Sequence, residues 1–393
     1  MSLLDDVYSR DSWERFYSYK TSLSCPKRFA GELRSYIDNE EYLKVSCDDF
    51  ALPKKSVISK MSTQKKRTVY TYPCVNNVWL KLLTHLLLRR YDHLFCDNLY
   101  SFRPGITAKD AVERLVRIRD IGSMYSYKVD ISNYFNSIDV SSLIPMVEEY
   151  LSDDPPLAAF LSSLLLEPYV IDRGCPVIEQ KGIMAGTPQA SFFANLYLKD
   201  LDKWFDDRGI IYARYSDDII LFTQTEDEIR EYAGVIRDFL DSRGLAVNPS
   251  KEVYTAPGEM WVFLGFCYKD GAVDIAPASL TKIKGKMRRK ARALKRWQTR
   301  KDKDPANSAK AFIRIFNRKL FEASDDNDLT WSRWYFPAIN TTSSLLEIDH
   351  YAQDCVRFLM TGKHNKGRYR VSYDEIKALG YKCLVNEYYK VRE

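Results

Sequence analysis

The chain has 393 residues, with 59 basic and 53 acidic side chains for a net charge of +6; 45% of its residues are hydrophobic and 28% charged. Such a length suits two or three domains, and such a composition excludes a largely disordered chain. No apolar run reaches the roughly 18 residues of a membrane-spanning helix; the best, Pro156–Val170, is interrupted by Glu167.

The first residues, Met-Ser-Leu-Leu-Asp-Asp, lack a basic start and a long apolar core, so no secretory signal is expected. The eight cysteines (25, 47, 74, 96, 175, 267, 355 and 383) form no Cys-x-x-Cys pair, and there are only four histidines. This usage points to reduced thiols in the cytoplasm, packed as small apolar side chains, rather than to a zinc site. Residues 1–50 read as a helical N-terminal extension. Lys54-Lys55 and Lys65-Lys-Arg67 flank β-prone residues, and Arg67–Pro73 reads as a strand leaving a basic turn. Val75–Phe95 has helical periodicity, Ser101–Gly105 is a turn, and Thr107 caps a helix running to Asp120. A strand is expected over Tyr125–Ile131, helices over 140–152 (capped by Asp139) and 155–167, and a hairpin about Asp172-Arg-Gly174. One helix is expected over 192–206, stopped at Gly209. Two strands, 211–215 and 219–222, follow, joined at Ser216-Asp217-Asp218. Thr225 with Glu228 marks the start of a helix ending at Gly244. Leu245–Val247 and Trp261–Tyr268 are expected to complete a sheet, and the order strand–helix–strand–strand–helix–strand predicts a ferredoxin-like α+β fold.

The composition changes after this point. Lys282–Lys301 holds 11 Lys or Arg in 20 positions and no acid. The predicted division is a helical extension over 1–50, a mixed α+β region over 51–275 and a helical basic domain over 276–393. A helix so one-sided in charge repels itself unless an anion compensates, and a nucleic-acid backbone is such an anion. Trp331–Phe336 and Thr361–Tyr369 mix aromatics with cations and read as core packing before RNA contacts.

Three acids stand out by position. Asp130 ends a strand, and Asp217 and Asp218 occupy a hairpin tip between apolar strands. Adjacent carboxylates near low-dielectric walls repel one another, and a divalent cation relieves that repulsion. Magnesium suits oxygen ligands and leaves positions open for phosphates, and two such ions sharing carboxylates can activate a hydroxyl and steady a leaving phosphate oxygen.

Asp130-Ile-Ser-Asn-Tyr-Phe135, Gly182–Leu198 and Tyr215-Ser-Asp-Asp218, in this order, resemble motifs A, B and C of reverse transcriptases. Gly244–Lys251 is similar to motif D and Phe263-Leu-Gly-Phe266 to the primer-grip motif E. Lys65-Lys-Arg67 and Tyr100–Gly105 are similar to the finger motifs of group II intron-type enzymes. The resemblance covers about residues 50–270. It implies a right-hand polymerase with fingers, a ferredoxin-like palm and a helical thumb. It also implies an RNA-directed DNA polymerase that joins a primer 3′-hydroxyl to a deoxynucleotide with magnesium, or with manganese in its place. Asp130, Asp217 and Asp218, with Ile131, would hold metal, and Lys251 would protonate the leaving pyrophosphate. Lys65 and Arg67 would clamp the triphosphate, with Phe135 and Gly186 also at the nucleotide. Phe135, five residues after the first acid, would exclude a 2′-hydroxyl. Phe263, Leu264 and Gly265 would grip the primer, and Arg288, Arg289 and Arg292 would follow the nucleic-acid backbone.

Motif B departs from the family pattern. In register with the Ala-Asn-Leu-Tyr helix, Met184-Ala185 stands where Pro-Gln is usual and Ala190-Ser191 where Ser-Pro is usual; Gln189 lies three residues beyond Gly186. Either the loop is reshaped or the glutamine contact is absent. Retron elements and added nuclease segments are not found. The resemblance is therefore to compact bacterial enzymes of the unknown-group and defence-associated kinds, which implies a noncoding RNA template, a DNA product and a role against phage. A homo-oligomer or a second defence protein would be the protein partner, and no membrane is implied. Untemplated or protein-templated DNA synthesis, and maturase-like RNA binding, are the alternatives.

Overall fold

Continuous apolar runs mark strands covered on both faces, and alternating ones mark strands covered on one. Both kinds occur around the acidic residues. In the computed structural model, which describes residues 2–22, 27–59, 66–322, 330–363 and 370–392, the first compact unit is Met1–Glu259 and the second Met260–Glu393. The strands of the first unit are β1 (Lys54–Ser59), β2 (Lys66–Thr71), β3 (Tyr125–Asp130), β4 (Tyr169–Asp172), β5 (Cys175–Ile178), β6 (Ile211–Tyr215), β7 (Asp218–Thr223) and β8 (Val253–Thr255).

Four of them form an antiparallel sheet in the order β6-β7-β3-β8. This is the ferredoxin-like arrangement, with the first strand between the third and the fourth. Central β7 is buried from Ile219 to Phe222. The helix Glu226–Ser242 turns Ile229, Ala233, Ile236 and Leu240 inward, one apolar face packed on β3 and β7. The fourth strand is β8, not the expected Trp261–Tyr268. Leu245–Val247 contributes only a single bridge, Ile131 to Val247. A three-residue strand leaves almost no periodic signal, and strand partners are set by pairing at a distance. The expected helix over 192–206 is two helices, Ala190–Tyr197 and Lys199–Asp206, separated at Leu198.

The remaining strands of this unit form a second sheet, β2-β1-β4-β5, in which β1 pairs antiparallel with β2 and parallel with β4. Helix caps fall where the sequence places them. Thr107 with Asp110 and Thr225 with Glu228 form capping boxes, and Asp139 accepts from the Ser142 amide at 2.9 Å. The N-terminal helices join the same core through Leu3, Val7, Trp13 and Phe16. The buried Asp154 carboxylate fastens them, accepting from the Leu3 amide at 2.8 Å while capping its own helix at Leu157.

In the second unit, β9 (Trp261–Phe263), β10 (Phe266–Lys269) and β11 (Ala272–Ile275) form an antiparallel meander. The helices Pro277–Arg300, Pro305–Phe321 and Ser343–Thr361 pack on one another. Tyr335 and Phe336 are buried, whereas 364–369 lie outside the described residues. No helix among the described residues is long and apolar enough to cross a membrane, and the seven described cysteines are free thiols.

Candidate active site

β3 and β7 run antiparallel with Asp130 directly opposite Asp218, and residues so paired project from the same face of a sheet. The β6–β7 connection turns on Ser216, whose φ of 60° is left-handed, so Asp217 follows at the tip. The Ile131 amide donates to the Asp217 carbonyl at 3.0 Å. The chain ends of β3 and of the hairpin are thereby joined at the three acids. Asp130 is buried. Its carbonyl accepts from the Asn248 amide at 2.7 Å, its Oδ1 from Asn248 Nδ2 at 3.3 Å, and its Oδ2 from Lys251 Nζ. Gly244–Lys251 therefore lies against the first acid. Lys128, two residues back on β3, places Nζ 3.6 Å from Asp218 Oδ1.

The electrostatics follow from this crowding. Burial raises the Asp217 carboxyl above the ordinary carboxylate range, and the charges of Asp130 and Asp218 raise it further. Burial also raises Asp218, opposed by Lys128. Lys128 and Lys251 supply positive charge to a cluster that has an excess of negative charge. The three carboxylates present are hard oxygens of the kind magnesium takes, so their chemistry fits a divalent cation. They are not a ready-made cage: among the described residues no group of three or more His, Cys, Asp or Glu side chains is already arranged around one point.

Behind the hairpin lies a buried polar network that the sequence reading did not pick out. Arg214 of β6 is fully buried and grips Asp202, Nε to Oδ1 at 2.7 Å and Nη2 to Oδ2 at 2.5 Å. It also donates to the carbonyls of Ser216 and Asn195, each at 3.3 Å. Burial works against the Arg214 charge, but Asp202 more than offsets this, and the guanidinium pKa ends above its ordinary value. Ser101 Oγ accepts from the Ser216 amide at 2.9 Å and donates to Asn195 Oδ1 at 3.0 Å; Asn195 Nδ2 returns to the Ser101 carbonyl at 2.8 Å. The left-handed Ser216 is thus held from both of its backbone polar groups. A signal was present: Leu198, Leu201, Asp202 and Phe205 share one helical face, and an acid on an apolar face needs a cation.

Phe135 is half-buried, its ring edge-on to Phe102 with centroids 6.4 Å apart; Phe102 in turn lies 6.4 Å from Tyr215. Phe102, left-handed at φ 57°, therefore links motifs A and C. Two glycines fix how the motif B loop lies. A Cβ on Gly182 would meet the Phe135 carbonyl oxygen at 2.5 Å, and one on Gly186 the Tyr70 carbonyl oxygen at 2.9 Å. The Ile183 amide donates to that Phe135 carbonyl at 2.9 Å, and the Tyr70 amide to Ala185 at 2.8 Å. The loop is therefore stitched to motif A on one side and to β2 on the other. Gln189 is fully buried and so is packed inside the protein. Arg67 is exposed on β2, while Lys65 lies outside the described residues.

In the second unit, Phe263 pairs with Phe266 across a two-residue turn of Leu264 and Gly265, both at positive φ. Two positive φ values suit the right-handed strand twist; holding a leucine there stores strain. Phe263 is buried, and Arg288, Arg289 and Arg292 are exposed on the helix Pro277–Arg300.

Comparison with known proteins gives the family. No curated protein sequence matches the chain. Solved structures similar to it include apo telomerase from Candida tropicalis truncated from its C-terminal domain, at 12% identity and a TM-score of 0.47 over 57% of this chain and 55% of that one. The apo telomerase of Candida tropicalis has 10% identity and a TM-score of 0.48 over 82% and 59%. Telomerase from Candida albicans in complex with the TWJ fragment of telomeric RNA has 11% identity and a TM-score of 0.45 over 85% and 62%. The matches thus span less than two thirds of those chains. The profile of the reverse transcriptase (RNA-dependent DNA polymerase) family matches residues 52–268. With more than half of its length so matched, including all three acids and the loop between them, the chain belongs to the reverse transcriptase family.

Proposed function

We propose that this chain is an RNA-directed DNA polymerase. The reading is carried by one observation: Asp130 faces Asp218 across β3 and β7, with Asp217 tied to Ile131 at the same sheet end. Asp130, Asp217, Asp218 and Ile131 would hold magnesium, or manganese, which when bound makes the primer hydroxyl more acidic and offsets charge on the leaving oxygen. The chain's own residues do the rest. Lys251, ion-paired with Asp130, would deliver a proton to the departing pyrophosphate. Arg67, with Lys65, would pair with the incoming triphosphate. Phe135, steadied by Phe102, would fill the space beneath the sugar where a 2′-hydroxyl would otherwise fit, and Gly186 lets the loop lie close to β2. Phe263–Gly265 would seat the primer end, and Arg288, Arg289 and Arg292 the backbone.

The finer reading, which rests on the resemblance, is that the template is a dedicated noncoding RNA in the cytoplasm, copied into DNA in antiphage defence. The altered motif B, with Gln189 buried, favours a second reading in which synthesis is untemplated or protein-templated. Sequencing the nucleic acid that co-purifies with the protein, and the DNA made when each deoxynucleotide is supplied singly or all together, separates the two. Products complementary to the bound RNA support the first reading, and homopolymers made without it overturn the first in favour of the second.

A further inference from the structure

The second unit contains a cavity of about 130 Å³ between the helices Pro277–Arg300 and Ser343–Thr361. Its lining divides by chemistry. Ala291 and Cys355 form an apolar floor, and burial pushes the Cys355 thiol up to about 12, so the floor is uncharged. Tyr351 forms a wall, with Lys284 Nζ 5.8 Å from its ring centroid. Arg288 and Arg292, one turn apart on the same helix face, stand exposed at the rim, and neither is ion-paired among the described residues. Asp354, largely exposed, is also at the rim, with Oδ1 3.3 Å from Arg357 Nη1.

A duplex lying along this helix would meet the outer cations but could not enter a space the size of one planar ring system. An unpaired base can enter, because its faces are free to stack and its sugar and phosphates remain at the rim. Two guanidiniums without acidic partners suit the phosphates. The Asp354 carboxylate would repel a phosphate, yet it is the acceptor a ribose 2′-hydroxyl needs and a deoxyribose cannot use. We infer that this cavity takes one unpaired ribonucleotide of an RNA strand, with the base against Tyr351, the flanking phosphates on Arg288 and Arg292, and the 2′-hydroxyl on Asp354. The inference rests on the polymerase reading only in taking RNA as a partner.

The test is fluorescence anisotropy of the full chain with a short labelled oligoadenylate RNA, its DNA counterpart and a blunt RNA–DNA duplex. Ala291→Leu fills the cavity without changing charge, and Tyr351→Leu removes the ring. Each is expected to weaken binding of the single-stranded RNA about 10-fold while leaving the duplex within about twofold. Asp354→Asn should narrow the preference for RNA over DNA, and Arg288→Gln should weaken both and reduce the salt slope by about 1. Unchanged RNA binding in Ala291→Leu and Tyr351→Leu, or equal loss on strand and duplex, overturns the inference. If Ala291→Leu fails to fold, Tyr351→Leu decides. Nucleotide addition measured on the same preparations keeps the two readings apart. RNA binding that responds to these variants without any synthesis overturns the polymerase reading alone, and synthesis with binding indifferent to them overturns the cavity alone.

Discussion

Replacing Arg214 with methionine should unfold the first unit at markedly lower temperature. The fully buried guanidinium holds both oxygens of a carboxylate that is 1% exposed. In its absence Asp202 keeps one side-chain donor, the Tyr212 hydroxyl at 3.0 Å, and burial, which already raises its carboxyl, is no longer opposed by a cation. Breaking a buried pair from one side costs about 3–5 kcal/mol. At about 2–4 °C per kcal/mol for a unit of this size, the midpoint should fall by about 6–20 °C, read by circular dichroism with denaturant titration as a cross-check. Asp202→Leu alone should cost a similar amount, because it leaves a buried cation. The double variant Arg214→Met with Asp202→Leu should recover most of the loss, since apolar replacements of buried pairs are often neutral. It should nevertheless polymerise poorly, because the Ser216 carbonyl has lost its Arg214 donor and the acidic turn is no longer held. Single variants within about 1 kcal/mol of wild type, or a double variant no more stable than the singles, would refute the reasoning.

Phe135→Ala should raise ribonucleotide over deoxynucleotide incorporation about 10- to 100-fold, the range that steric exclusion of one small group supplies; unchanged discrimination in primer extension counts against Phe135 as the residue beneath the sugar. Asp217→Asn should raise the melting temperature of metal-free protein at pH 7. The Asp217 carboxyl is raised on folding, so its contribution is favourable below its unfolded pKa and is lost as pH rises through the folded value. The advantage of the variant should therefore shrink as pH is lowered, and a gain independent of pH would show that charge crowding is not its cause. Gly182→Ala should destabilise by about 1–3 kcal/mol, because its methyl would overlap the Phe135 carbonyl in a left-handed turn; melting curves matching wild type would mean that the loop does not press on motif A.

Much of this is legible in the sequence, because the signals are local. Capping residues at 107, 139 and 225 declare helix starts, and the apolar runs around 125–131 and 211–222 declare strands. An acid at a strand end and two at a hairpin tip are unusual enough to be read as a cluster. What is not legible is set by pairing at a distance. Val253–Thr255 is too short to register, yet it takes the sheet edge expected of 261–268. The helix break at Leu198 carries no proline or glycine. Lys128 looks like an ordinary surface cation until β7 places Asp218 beside it. Ser101 and Asn195 look like turn and helix residues until the fold brings them together around Ser216. The raised carboxyls of Asp217 and Asp218 arise from burial, which depends on the whole sheet and its covering helices.

The most direct measurement is extension of a labelled DNA primer annealed to a defined RNA, with four deoxynucleotides and magnesium, comparing wild type with Asp130→Asn and Asp217→Asn variants shown to be folded. The expected result is DNA complementary to the template from wild type and a loss of about 10²- to 10³-fold in either variant, the scale of removing a central electrostatic group from a reaction centre. Equal synthesis by wild type and both variants, or no lengthening of any strand by folded wild type with magnesium or manganese, would contradict it.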